Sequence, residues 1–123
     1  MSYGAAAGAH IYRVLVVEGS TVSRVAICHA KGSLTEKDTA WFIELMADCI
    51  VSPADRVLVD LAHLDFICPY GIALLVYANK YAEDRSKPFA VTSPRGLVRV
   101  MLERWHVDAV FPVLQQYPTD LRW

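Results

Sequence analysis

Residues 56–72 read RVLVDLAHLDFICPYGI, an apolar run followed by a turn and the start of a different pattern. The run Arg56–Leu61 is short and almost continuously apolar, which is typical of a strand covered on both faces. In the turn, Cys68–Gly71, Pro69 removes a backbone donor and fixes its φ, while Gly71 allows a close approach of the backbone. The stretch therefore predicts a central strand that turns sharply into a helix. α/β proteins usually carry their chemistry or their partner surface at such a turn.

Upstream of this stretch, the pattern predicts a hairpin and then a helix. Two runs rich in β-branched residues, Ile11–Val17 and Val22–Cys28, flank a turn at residues 19–20 and should pair antiparallel. In residues 31–51 the apolar positions recur at helical spacing, and the pattern stops before a proline. We therefore expect the first helix to connect the hairpin to the central strand.

Downstream, helical and extended patterns alternate. Residues 73–85 and 93–105 have helical periodicity, the second with Ser93 as its predicted N-cap. Residues 88–93 and 109–114 are short apolar runs that we expect to be strands. The resulting order, β-β-α-β-α-β-α-β, predicts an α/β fold with a mixed, mostly parallel central sheet, an N-terminal hairpin and crossover helices.

The composition fits one domain, residues 11–123, after a flexible tail at residues 1–10. Of the 123 residues, 54% are hydrophobic and 20% charged, which argues against disorder. The 12 Lys and Arg residues against 13 Asp and Glu residues leave no field to attract nucleic acid, and no apolar run approaches the roughly 20 residues of a membrane span. The three cysteines form no CxxC pair, as expected in a reducing compartment. We therefore expect a cytoplasmic protein that neither binds nucleic acid nor inserts into a membrane.

Four segments in this order resemble the STAS domains of bacterial anti-sigma-factor antagonists. They are GSL (32–34), VLVDLAHLDFI (57–67), TSP (92–94) and VDAVFPV (107–113). The resemblance implies a protein that acts by binding: the antagonist captures an anti-sigma factor, usually a serine kinase, and so frees a sigma factor by partner switching. It implies no catalysis and no cofactor.

The turn departs from the family pattern. The family usually has Asp-Ser-Ser-Gly there, and the kinase phosphorylates the second serine to switch binding off. Here the matching residues are Cys68, Pro69, Tyr70 and Gly71, so the phospho-acceptor position is occupied by Tyr70. We therefore expect either a constitutive binder or one that is controlled by another switch.

The helix after the turn has two distinct faces. We expect the face with Ile72, Leu75, Val76, Asn79 and Ala82 to point inward, which leaves a tyrosine-rich stripe outward. Exposed tyrosines are typical of a binding surface, so we expect the stripe to contact the partner or a second copy of the chain, as a homodimer. The alternative is that the stripe packs under the first helix or the C-terminal tail. The predicted partner-binding residues are Ser33, Thr35, Cys68, Pro69, Tyr70, Gly71, Ala73, Leu74, Tyr77 and Tyr81.

Two cysteines are candidates for redox control. Cys68 precedes a helix N-terminus, which favours a thiolate, and Cys28 ends a strand from which it could approach Cys68. The alternative is that Cys68 packs as a small apolar residue, and we expect Cys49 to belong to the core. Together with His29 and His63 the two cysteines could supply zinc ligands, but their spacing matches no zinc pattern, so we predict no metal site.

No catalytic motif is present, so we predict a binding protein rather than an enzyme. Two other functions remain open. The first is a STAS subunit of a larger assembly, such as a lipid-transport complex or a stress-signalling particle. The second is a sensor that binds a small ligand or a nucleotide at the exposed amides of a helix N-terminus.

Overall fold

The computed structural model describes residues 7–18, 21–119 and 123, which form one mixed sheet with three α-helices. The strands are β1 (Ala7–Glu18), β2 (Thr21–Leu34), β3 (Arg56–Ile67), β4 (Phe89–Thr92) and β5 (Val113–Leu114), and the helices are α1 (Thr39–Val51), α2 (Pro69–Glu83) and α3 (Gly96–Arg104). Their order along the chain confirms the predicted fold class.

The strand order in the sheet follows the order in the sequence, β1-β2-β3-β4-β5. β1 is antiparallel to β2, and the pairs β2–β3, β3–β4 and β4–β5 are parallel. β1 begins at Ala7, inside the segment 1–10 that the sequence predicts as a tail. Residues 1–6 and the predicted hairpin turn at 19–20 lie outside the described residues.

The main core lies between the helices and one face of the sheet. Alternate residues of each strand face this core because successive side chains of a strand point to opposite faces. The buried side chains from the strands include Ala26, Cys28, Ala30, Val57, Val59, Leu61, Phe89 and Val91, and those from the helices include Trp41, Phe42, Leu45, Met46, Cys49, Ile50, Ile72, Leu75, Val98 and Leu102. Residues 57–61 are all buried, so this half of β3 is covered on both faces, as the apolar run predicts.

The other face of the sheet carries a smaller apolar cluster that the end of the chain helps to cover. Val25, Leu58 and Ala90 are buried there, and Trp123 packs against them. Arg56 fixes this arrangement because its Nη1 donates to the carbonyl oxygen of Trp123 at 3.1 Å. The C-terminal residue therefore returns to the start of the central strand.

The start of α3 differs from the prediction. Its N-cap is Arg95 rather than Ser93, and its first residue is Gly96. Ser93 has a φ of 60° and donates its amide to the carbonyl oxygen of Leu114 at 2.8 Å, so it belongs to the pairing of β4 with β5. The prediction that Ser93 caps the helix is therefore wrong. His106, which follows α3, has a φ of 53° and lies in the left-handed region.

The helices are short, with 13, 15 and 9 residues in α1, α2 and α3. In the part of the chain that the structure describes, no helix combines the length and the apolar composition that a bilayer crossing requires.

Candidate functional site

The turn between β3 and α2 is organised by the thiol of Cys68. This residue is the N-cap of α2, and its Sγ accepts a hydrogen bond from the amide of Gly71 at 3.3 Å. Pro69 occupies the first helical position, where its missing amide hydrogen costs nothing. The amide of Cys68 donates to the carbonyl oxygen of Leu34 at 2.9 Å, which ties the turn to the end of β2. Cys68 is only 4% exposed, so it caps the helix from within the protein.

Gly71 lies where no side chain fits without movement. A Cβ at this position would be 2.8 Å from Cδ2 of Leu34 and 2.9 Å from Cγ1 of Ile67. Both neighbours are fully buried, so they have little room to move away. The glycine therefore lets the first turn of α2 pack directly on β2 and β3.

The end of β2 lies beside this turn. Ser33 is paired with Phe66, and the next residue, Leu34, is paired with Ile67. Thr35 follows and donates its hydroxyl to Oδ2 of Asp38 at 2.8 Å. Ser33 and Thr35 are both half-buried. The turn and the β2 end therefore form one continuous edge. On this edge the Thr35 hydroxyl is already bonded to Asp38.

The orientation of α2 agrees with its helical periodicity. Ile72, Leu75 and Ala82 are buried. Tyr70, Tyr77 and Tyr81 are exposed, and they form the outward tyrosine stripe together with the half-buried Ala73 and Leu74. The two remaining inward positions, Val76 and Asn79, are half-buried rather than fully buried.

The tyrosine stripe borders an apolar groove between α1 and α2. The groove has a volume of about 310 Å³, and its lining includes Ile43, Ala47 and Ile50 from α1 and Leu74, Tyr77 and Tyr81 from α2. The sequence did not predict this groove, because the stripe was expected either to be free on the surface or to pack under the first helix, and not to border a recess beside it. A signal was present in α1, where Ile43 lies on the same side as Ala47 and Ile50 at helical spacing.

Cys28 and Cys68 do not lie together. Cys28 forms a disulfide with Cys49, and Cys68 is a free, buried thiol. Cys28 lies six residues before Leu34 on β2, so it is roughly 20 Å along the strand from the end that contacts Cys68. The approach of Cys28 to Cys68, which the sequence left open, is therefore not found. The assignment of Cys49 to the core is confirmed, since its side chain is fully buried.

A polar cluster on the second face of the sheet was not predicted. The buried Asp60 accepts hydrogen bonds from the amide of Ala62 at 2.9 Å and from the hydroxyl of Tyr117 at 2.6 Å. Nδ1 of His29 lies 2.7 Å from Oδ2 of the same carboxylate. The cluster joins the C-terminal segment to β2 and β3, and these bonds satisfy the buried charge.

The four residues considered as zinc ligands, Cys28, His29, His63 and Cys68, do not come together. Cys28 faces the helices, whereas His29, the next residue, faces the opposite side of the sheet with Asp60. Within residues 7–18, 21–119 and 123, no group of three or more His, Cys, Asp or Glu side chains is arranged to hold a metal ion.

No family model and no curated protein matches the sequence. Solved structures do match the fold. The crystal structure of an anti-sigma factor antagonist from Mycobacterium paratuberculosis has a TM-score of 0.66 at 17% identity, over 89% of this chain and 87% of that chain. The structure of an anti-sigma-factor antagonist (STAS) domain protein from Planctomyces limnophilus has a TM-score of 0.60 at 21% identity, over 85% of this chain and 89% of that chain. The structure of the anti-sigma factor antagonist SpoIIAA in its unphosphorylated form has a TM-score of 0.62 at 13% identity, over 81% of this chain and 87% of that chain.

These similarities establish the fold. The chain has the architecture of the STAS-domain anti-sigma-factor antagonists, and the resemblance that the four sequence segments indicate is confirmed at that level.

Proposed function

We propose that this protein is an anti-sigma-factor antagonist, which binds a kinase-like anti-sigma factor and so releases a sigma factor. The proposal is supported by the fold that the chain shares with such antagonists. The observation that carries it is in the turn: Tyr70 stands at the position of the family's phospho-acceptor and is 51% exposed on the first turn of α2. The protein then acts by binding, and transcription is regulated by an exchange of partners.

The proposed partner-binding surface consists of three neighbouring parts. These are the turn Cys68–Gly71, the β2 end with Ser33 and Thr35, and the outward stripe of α2. Exposed tyrosines are good anchors because they bring a large apolar ring and a polar hydroxyl with little loss of conformational entropy. Truncation of such an anchor to alanine commonly costs about 1 to 4 kcal/mol of binding free energy.

Control by phosphorylation of the turn is not available to a serine kinase. The segment Cys68–Gly71 has no seryl or threonyl hydroxyl. Ser33 and Thr35 on the neighbouring edge carry such hydroxyls, and that of Thr35 donates to Asp38. A phosphate on this surface would add nearly two negative charges to an apolar contact and weaken it. Because the turn cannot receive that phosphate from a serine kinase, we propose that binding persists in the presence of ATP.

Cys68 fits a structural role better than a redox role. Its sulfur is buried and accepts the amide of Gly71, so an oxidant or glutathione reaches it only if the turn opens. We therefore assign Cys68 to helix capping within the surface.

Titration calorimetry of the full chain against the kinase-like anti-sigma factors of the same genome tests the proposal. We expect one of them to bind, and we expect Tyr70→Ala to weaken that binding about tenfold or more while the melting temperature stays unchanged. Leu97→Ala is the matched control, because Leu97 is also 51% exposed but lies on α3. Absence of binding to every candidate, or equal affinity of Tyr70→Ala and wild type, would contradict the proposal.

A further inference from the structure

The chain leaves α2 through a turn that fixes the backbone of Arg85. The amide of Lys87 donates to the carbonyl oxygen of Ala82 at 2.9 Å, and the amide of Ser86 donates to that of Glu83 at 2.9 Å. Ser86 has a φ of 57°, in the left-handed region. These two hydrogen bonds around a left-handed residue form a Schellman motif, which ends a helix in a defined geometry. The position of Arg85 relative to the last turn of α2 is therefore fixed.

The side chain of Lys87 joins this turn to the end of α1. Its Nζ donates to the carbonyl oxygens of Ile50 and Ser52, each at 2.6 Å. These carbonyl groups lie at the C-terminus of α1, where a cation is favourable. Lys87 therefore holds the end of α2 against the end of α1, and Arg85 lies on a segment that is tied to both helices.

From this turn the side chain of Arg85 reaches back over the ring of Tyr81. Its Cζ lies 3.6 Å from the ring centroid, and its Nη1 donates to the carbonyl oxygen of Tyr81 at 3.2 Å. The neighbouring carboxylate of Asp84 pairs with Lys80 at 3.2 Å, and Arg85 forms no ion pair with any described residue. A planar guanidinium stacks well on an aromatic face. The cation of Arg85 is therefore directed at the ring and not at an acid.

The two tyrosines at the end of the stripe differ in this respect. Tyr77 is 70% exposed, whereas Tyr81 is 38% exposed. In the part of the chain that the structure describes, no cation stacks on the ring of Tyr77. The ring of Tyr81 is thus held from one side, and that of Tyr77 is not.

We propose that Arg85 is a positioning residue of the partner-binding surface, which holds the ring of Tyr81 in its binding orientation before the anti-sigma factor arrives. This inference rests on the proposed function, which places Tyr81 in that surface. Immobilising a side chain at an interface costs binding free energy, and a ring that is already held avoids much of that cost. Loss of the stacking should therefore weaken binding by about three- to tenfold.

NMR spectroscopy of the purified full chain tests the stacking without any partner. We expect nuclear Overhauser contacts between the side chain of Arg85 and the ring protons of Tyr81. Arg85→Gln should shift the ring resonances of Tyr81 more than those of Tyr77. Absence of the contacts, or an equal shift of both rings, would overturn the proposal.

A double-mutant cycle, measured by titration calorimetry against the anti-sigma factor that the wild type binds, tests the positioning role. Arg85→Gln should weaken binding by about three- to tenfold in the wild type and in Tyr77→Ala. In Tyr81→Ala there is no ring to hold, so the same substitution should change the affinity by less than about twofold. Lys80→Gln is the matched control, because it removes another exposed cation of α2 that pairs with Asp84 and not with a ring. It should bind as the wild type does.

The outcomes separate this inference from the proposed function. A wild-type chain that binds no anti-sigma factor contradicts the proposed function. If the wild type binds, three results overturn the positioning role alone. They are unchanged affinity of Arg85→Gln, an equal loss on Arg85→Gln with and without the ring of Tyr81, and an equal loss in Lys80→Gln. Circular dichroism verifies that each variant is folded, which is expected because the side chains of Lys80, Tyr81 and Arg85 are exposed.

Discussion

Replacement of Gly71 by alanine tests the packing that forms the turn. The added methyl group would lie 2.8 Å from Leu34 and 2.9 Å from Ile67, and both of these side chains are fully buried. Overpacking of this kind typically costs about 1–3 kcal/mol. Alanine is also the better helix former, which offsets up to about 1 kcal/mol of that cost in the first turn of α2. We therefore expect Gly71→Ala to lower the free energy of unfolding by about 1–2 kcal/mol.

Urea unfolding followed by circular dichroism measures this difference. Ala73→Gly, two residues further along the same helix, is the matched control because Ala73 is half-buried and its substitution reports the propensity term. That control should lose about 1 kcal/mol. If Gly71→Ala instead gains the amount that Ala73→Gly loses, the steric argument is refuted and only helix propensity acts at the turn.

Three further predictions concern the cysteines and the polar cluster. Cys68→Ser should leave the free energy of unfolding within about 0.5 kcal/mol of wild type, because serine also caps a helix. Cys68→Ala should lose about 1 kcal/mol in urea unfolding. Equal losses in both variants would exclude a capping role. The disulfide of Cys28 with Cys49 spans a sequence separation of 21, so reductant should lower the free energy of unfolding by about 3 kcal/mol. Without reductant, the intact mass should be lower than that of the reduced chain by two hydrogens. An identical mass with and without reductant would refute the bridge. Tyr117→Phe should cost about 1–2 kcal/mol because it removes a donor from the buried carboxylate of Asp60, and no change in thermal unfolding would show that the bond contributes nothing.

The strand and helix order could be predicted from the sequence because each element has a local signal. The nearly continuous apolar run of residues 57–61 and the proline and glycine of the turn define the central strand and its end. Helical periodicity likewise places Tyr77 and Tyr81 outward on α2. These features depend on neighbouring residues alone.

The disulfide and the start of α3 could not be predicted in the same way. Cys28 and Cys49 meet only because α1 packs on the face of β2 that carries Cys28, which is a tertiary contact between distant parts of the chain. Ser93 has the sequence signature of an N-cap, but its amide pairs with Leu114 of β5, and that partner lies 21 residues away. Tertiary pairing therefore overrode the local signal.

The groove between α1 and α2 also depends on tertiary structure. Ile43 alone on a helix predicts nothing, since isolated apolar residues are common on protein surfaces. Ile43 becomes part of a larger apolar surface only because α2 brings Tyr77 and Leu74 to the same recess. A sequence-based view of one helix at a time could not reveal a surface built from two.

The most direct test of the proposed function is the survival of its complex in the presence of ATP. The purified full chain is mixed with the kinase-like anti-sigma factor that it binds, with and without magnesium and ATP, and the complex is measured by size-exclusion chromatography. The peptide that carries Cys68–Gly71 is then mapped by mass spectrometry. We expect the same amount of complex under both conditions and no phosphate on that peptide, because the turn has no seryl or threonyl hydroxyl. Loss of the complex on addition of ATP, together with phosphate on Tyr70, would contradict the account.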